Sequence, residues 1–188
     1  MHGQSLGPLL WQPSDEVWRL RNLRHALCSG RPIMTSVSFA EVLQEPLVLP
    51  DLRGGNKESV LQELVDSLAT QRPEIDGSVL LDSLFEREKL GSTGIVEGVA
   101  IPHGRIAGLT GIAVVVGRHP QGVDFGSLDG SPTRLFFLLV APHESNGVHL
   151  KLLAQVSRLL RDASFRDVLM RARDRRELYQ RLVERDAN

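Results

Sequence analysis

The 188-residue chain reads as an α/β protein of three layers, with helices on both faces of an apolar sheet. Two observations carry this expectation. Residues 134–142, "RLFFLLVAP", are continuously apolar, as a strand must be when both of its faces are covered. On either side of that run lie segments whose apolar residues recur at helical spacing. The composition, 41% hydrophobic and 24% charged, is that of one soluble domain, and the length suffices for a substantial core.

The elements follow in order. Residues 1–33 hold both tryptophans and the single cysteine, and they read as an N-terminal extension, partly helical. Within them "SDEVWRLRNLRHAL" has helical spacing, with Ser14 as its cap, and "CSGRP" ends it. The compact domain is expected over 34–188. "FAEVLQ" predicts a short helix, and "PLVLP" an extended piece bounded by prolines. "NKESVLQELVDSLATQ" places apolar residues at 60, 61, 64, 65 and 68, one face of a helix. "DGSVLLDSLFEREKL" repeats that signal, capped by Asp76 or Ser78. "VAI" (99–101) and "IAVVVG" (112–117) read as strands alongside 134–142, and "QGVDFGSLDGSP" as turn chemistry. Three helices close the chain: "NGVHLKLLAQVSRLLRD"; "SFRDVLMRA", capped by Ser164; and "DRRELYQRLVERD", with Asp174 and Glu177 at capping-box spacing.

Several function classes are excluded at this level. A net charge of −1 does not suit a general nucleic-acid binder. Charge is uneven, with 12 acids against 5 bases over 41–97 and 9 arginines against 5 acids over 158–185. Two solvated helical faces account for that, and a docking surface for a charged partner is the sharper reading. No apolar run spans a bilayer, and the N-terminus lacks the pattern of a secretory signal, so the protein is not expected to insert in a membrane. Cys28 alone supports neither a disulfide framework nor a cysteine zinc site, which suits the cytoplasm. The glycine-rich stretch lacks the GK[ST] ending of a nucleotide loop, no dinucleotide fingerprint is present, and no HExxH occurs. No cofactor and no metal are expected.

The chemistry concentrates around "GSTGIVEGVAIPHGR" (91–105). Pro102 fixes its own φ and biases Ile101 to an extended conformation, so His103 is expected just past the end of a strand. Gly104 leaves room for something to approach the ring. A neutral imidazole there can act as base, ligand or nucleophile, or serve only its own loop. His149 falls in the first turn of a strong helix, leaning towards the packed face, where its ring needs a partner. Arg87, between Glu86 and Glu88, is either a surface cation or a fixed charge at the mouth of the glycine loop. One phosphate accounts for all three. An imidazole nitrogen can carry a phosphoryl group, and Arg87, His149 and loop N–H groups would hold its oxygens. The hydroxyls of Ser92 and Thr93 are further candidate hydrogen-bond donors to that phosphate, or else simple turn-forming residues. His119 and His143 are expected to be exposed, and Asp124, Asp129 and Glu97 have no evident partner for acid–base work.

"EREKLGSTGIVEGVAIPHGR", with "VDFGSLDG", "LFFLLVAP" and "HLKLLAQVSRLL" after it in order, resembles the IIA domain of the mannitol/fructose type of the bacterial phosphoenolpyruvate-dependent phosphotransferase system. The resemblance covers roughly 35–185 and implies a small mixed central sheet flanked by helices. It implies that His103 is the phosphorylated residue, through Nε2, and that His149 and Arg87 are its partners. It further implies a histidine phosphocarrier protein as donor. "REKLGSTG" and "ELYQ" look most like the nitrogen-regulatory branch, whose members bind and regulate other proteins. The alternatives are a sugar-specific component that passes phosphate to a IIB domain, and a binding module whose histidine is unused. "GIVEG" departs from the branch pattern and sets Glu97 near the expected phosphate.

Overall fold

The computed structural model describes residues 37–95, 97–145 and 147–186. The Ser14-capped helix lies outside them. The sheet is built on two long strands, β4 (Ala113–Val123) and β5 (Thr133–Pro142), paired antiparallel with Val116 opposite Phe137. A short helix, α1 (Phe39–Val42), leads directly into β1 (Leu43–Leu49), which runs parallel to β4. On the other side of β5 lie two short parallel strands in succession, β2 (Val99–Ala100) and β3 (His103–Ile106). The sheet is therefore mixed, in the order β1-β4-β5-β2, with β3 also on β5.

Side-chain alternation along β5 divides the core into two layers. Phe136, Leu138 and Val140 pack with the buried faces of α2 (Lys57–Gln71) and α3 (Gly77–Lys89). Leu135, Phe137 and Leu139 pack on the opposite face with α4 (Val148–Leu159), α5 (Ala163–Arg171) and α6 (Arg175–Asp186). Each fully buried Leu or Phe contributes about 1.5–3 kcal/mol, and both faces of β5 supply them. That is the three-layer architecture the apolar run predicts.

The caps follow local chemistry. Asn56 caps α2, its side chain accepting from Ser59 N at 2.8 Å. Asp76, rather than Ser78, caps α3, accepting from Ser78 N at 2.9 Å. Asp162, not Ser164, caps α5, because its carboxylate reaches both Ser164 N and Phe165 N. At α6 half of the expected box forms: Glu177 N donates to Asp174 Oδ1 at 2.8 Å, while the Glu177 carboxylate accepts from Arg173 N, one residue earlier.

Three expectations change. His103 does not trail a finished strand; it opens β3, opposite Leu139. Pro102 interrupts the edge but its carbonyl still accepts from Leu139 N at 2.9 Å, so the ten-residue β5 continues to template its neighbour past the proline. β4 extends to Val123, into residues read as turn, across an irregularity after Arg118. His119, expected to be exposed, consequently lies in the strand, 6% exposed, with Nδ1 accepting from Gly122 N at 2.8 Å. His143 is exposed, as expected. Among the described residues no helix is long and apolar enough to cross a membrane.

Candidate functional site

The site forms at the broken edge of the sheet, where both helical layers come within reach of one strand. Register sets the orientation. His103 and Arg105 pair with Leu139 and Ala141 and share the face covered by α4, while Gly104 pairs with Val140 and faces α3. A Cβ at Gly104 would sit 3.3 Å from Leu84 Cδ2 and 3.4 Å from Ser83 Oγ, both on α3. The missing side chain thus lets α3 lie close against the edge. That closeness brings Arg87, in the last turn of α3, around to the histidine on the other face.

Arg87 Nε donates to His103 Nε2 at 3.1 Å. A guanidinium only donates, so Nε2 holds a lone pair rather than a proton. The other nitrogen, Nδ1, lies 2.9 Å from the Ile101 carbonyl and donates to it. His103 is therefore a neutral imidazole of one defined tautomer, with its basic nitrogen directed at Arg87. Burial is the main cause that pushes its pKa below the ordinary 6.5; the Ile101 hydrogen bond opposes this, Arg87 adds to it, and Glu88 opposes it. Arg87 is itself held by a bond from Nη1 to the Gly91 carbonyl at 2.9 Å.

His149 enters from the opposite layer. Gly147, at φ 79°, starts α4 in a left-handed conformation that suits glycine and sets His149 in the first turn. His149 is 8% exposed. Its Nδ1 lies 2.9 Å from Ser145 Oγ, and Arg105 Nη2 lies 2.5 Å from its Nε2 and 3.3 Å from its Nδ1. Arg105 can only donate, and its nearer contact is to Nε2 while Nδ1 has Ser145, an arrangement that suits a neutral His149 with Nε2 as acceptor. Burial first, then the charge of Arg105, then His103, lower its pKa. The two rings and both arginines line one cavity of about 380 Å³, with Glu86 at its rim and Leu153 in its wall. Arg87, His103 and His149, singled out from sequence, are thus brought together, and Gly104 lines the same cavity.

Ser92 and Thr93 are not among the residues lining it. Ser92 Oγ donates to the Phe125 carbonyl at 3.0 Å and accepts from Gly94 N at 3.1 Å. Thr93 directs both its N–H and its hydroxyl to Glu88 Oε1. Both hydroxyls hold the loop in shape. Gly94 is needed there, since a Cβ would meet Ser127 Oγ at 2.9 Å. Glu97, expected near the phosphate, pairs instead with Arg166 of α5 and lies away from the cavity lining. Asp129 and Asp124 are turn residues, accepting from Glu97 N and Gly126 N at 2.8 and 2.9 Å.

Two functional candidates escaped sequence reasoning. Glu88, its side chain only 7% exposed, ties the glycine loop to α3 and pairs with Lys57 at 2.9 Å. Arg105 became visible only once β3 was a strand, because then residues 103 and 105 share a face. Among the described residues no cluster of three or more His, Cys, Asp or Glu is arranged to hold a metal ion.

Residues 41–185 match the family model described as phosphoenolpyruvate-dependent sugar phosphotransferase system, EIIA 2. The chain belongs to this family. A nitrogen regulatory protein of Bradyrhizobium diazoefficiens is 40% identical over 77% of this chain and 94% of its own length. The fructose-specific EIIABC component of Bacillus subtilis is 34% identical over 72% of this chain, which spans 21% of that larger protein. The crystal structure of nitrogen regulatory protein IIA-Ntr from Neisseria meningitidis superposes with a TM-score of 0.71 at 33% identity, covering 76% of this chain and 97% of that one. As an EIIA domain, the protein presents at its sheet edge a neutral imidazole nitrogen, two guanidiniums and a second ring around one solvent-connected cavity.

Proposed function

We propose that the protein is a phosphoryl carrier of the phosphoenolpyruvate-dependent phosphotransferase system, accepting the group on Nε2 of His103 from the phosphohistidine of a phosphocarrier protein. The observation that carries this is the His103 tautomer. Its proton sits on Nδ1, which donates to Ile101 O, and its Nε2 lone pair faces Arg87 and the cavity. In the transfer, that lone pair forms a new N–P bond as the P–N bond to the donor ring breaks, and the bonding pair returns to the donor nitrogen. The donor ring leaves neutral, keeping the proton on its other nitrogen, while His103 keeps its own on Nδ1. Protons balance without a separate base. Arg87 donates towards the phosphoryl oxygens, where a preorganised donor lowers the barrier most, and His149 lines the same cavity beside it.

The carrier unit is residues 34–188, with 1–33 as an extension. A cytoplasmic reaction fits the single cysteine. We assign the output to nitrogen-regulatory signalling, through target proteins that sense the phosphorylated face; the nitrogen regulatory relatives support this. A second reading, a sugar-specific component handing the group to a IIB domain, is supported by the fructose-specific relative.

Incubation with phosphoenolpyruvate, enzyme I and the phosphocarrier is expected to add one phosphoryl group, seen by intact mass at neutral pH. The adduct should be lost in acid and kept in base. A His103→Ala variant labelled as fully as the parent would refute the assignment. Adding a fructose-type IIB domain separates the two outputs, since rapid loss of the label to it would favour the sugar reading.

A further inference from the structure

The cavity holds two guanidiniums, and among the described residues neither has a carboxylate partner. Among the described residues Arg87 and Arg105 form no ion pair, and Glu86 at the rim is engaged by Lys89 at 2.5 Å. Each arginine rests instead on an imidazole, Arg87 on Nε2 of His103 and Arg105 on the His149 ring, nearest to Nε2. A neutral ring is a poor counterpart for a permanent cation. A hydrogen bond between a cation and an anionic oxygen is about twice as strong as one to a neutral acceptor. A phosphoryl group would bring a charge of about −1.5 to −2 into the same space.

From this we infer that Arg105 is a second phosphoryl ligand, held in reserve on His149 until His103 is phosphorylated. The inference rests on His103 being the acceptor. Arg105 lies two residues from His103 on the same strand face, roughly 7 Å away along the backbone, within reach of a long side chain. Arg105 is exposed, so its stem is free to pivot. When the phosphoryl group arrives, the guanidinium moves from His149 Nε2 to the phosphoryl oxygens. His149 Nε2 then has lost its donor and faces a dianion, so it takes a proton from solvent and becomes a donor itself. The groups that face it are Arg105, His103, Arg87 and Glu86 around the cavity, and Ser145, which stays on Nδ1. Loading His103 thus exchanges one acceptor for two donors, and the exposed face changes with it.

The experiment compares the parent with Arg105→Gln and Arg105→Lys, each with and without phosphorylation by the phosphocarrier system. Imidazole ¹⁵N spectra are read alongside the equilibrium distribution of label between phosphocarrier and protein. In the parent, the His149 Nε2 signal is expected to move on phosphorylation from the position of an unprotonated nitrogen to that of a protonated one. In Arg105→Gln the equilibrium should shift against the protein by about tenfold or more, the loss of one charge-assisted bond, with Arg105→Lys between the two. If the parent labels at His103 while Arg105→Gln labels to the same equilibrium, the inference falls and the acceptor assignment stands. An unmoved His149 signal in the labelled parent also overturns it. If the parent does not label at His103, the acceptor assignment falls and takes the inference with it.

Discussion

Replacing Arg87 by alanine tests the site at its most informative contact. The guanidinium touches His103 Nε2 at 3.1 Å, so a phosphoryl group bound to that nitrogen would place its oxygens against the same cation. Unit charges about 4 Å apart interact by about 1 kcal/mol in water and about 4 kcal/mol at an effective dielectric near 20. The cavity is open on one side and walled by protein on the other, so a value between these limits, about 2–3 kcal/mol, is appropriate. That corresponds to a roughly 30- to 150-fold slower transfer. Arg87→Lys should recover part of it, since charge returns without the planar fork or the hold on Gly91 O. Rapid-quench measurement of label appearing on the protein under excess phosphocarrier gives the rate, and a thermal melt reports whether the fold is intact. In parallel, the His103 pKa should rise in Arg87→Ala, because Arg87 is one of the causes that depress it. A folded Arg87→Ala variant that accepts phosphate within threefold of the parent rate would refute the proposed role of the cation.

Three further outcomes follow from the same geometry. Arg118→Met should destabilise the protein by about 3–5 kcal/mol in urea unfolding, because the buried guanidinium donates to the carbonyls of Pro50, Leu169, Met170 and Ala172 and these would be left without it; a loss under about 1 kcal/mol would contradict that account. Glu88→Gln should cost about 1–3 kcal/mol by breaking a largely buried pair with Lys57, and should lower the His103 pKa further, since the Glu88 charge raises it; an NMR titration checks the direction. For pH, the unfolded His103 binds its proton near 6.5 whereas the folded ring resists it, so the unfolded state binds more protons in the window below 6.5. Stability from this ring is complete above 6.5 and is lost as pH falls through the lower folded value. His103→Asn should therefore flatten the fall in Tm between neutral and mildly acidic buffer, and an unchanged slope would show that the ring is not held neutral by the fold.

Much of this protein was legible along the chain. Helix α2 and strand β5 are encoded by the spacing of their apolar residues, and Asp76 by its place ahead of a helical run, all of which depend on neighbours a few positions away. The glycine loop, the histidine after Pro102 and the histidine opening α4 could likewise be found as local patterns. What the chain order left open were the contacts between layers. Arg105 and His149 are 44 residues apart, and their meeting depends on β5 continuing to pair with the edge beyond Pro102. The burial of Glu88, the capture of Glu97 by Arg166 and the burial of His119 in an extended β4 are of the same kind. Periodicity specifies which face of an element is apolar, but the direction and protonation of a polar side chain depend on which partner the opposite layer brings within about 3 Å, and hydrogen bonding at that range is decided only once the layers have packed.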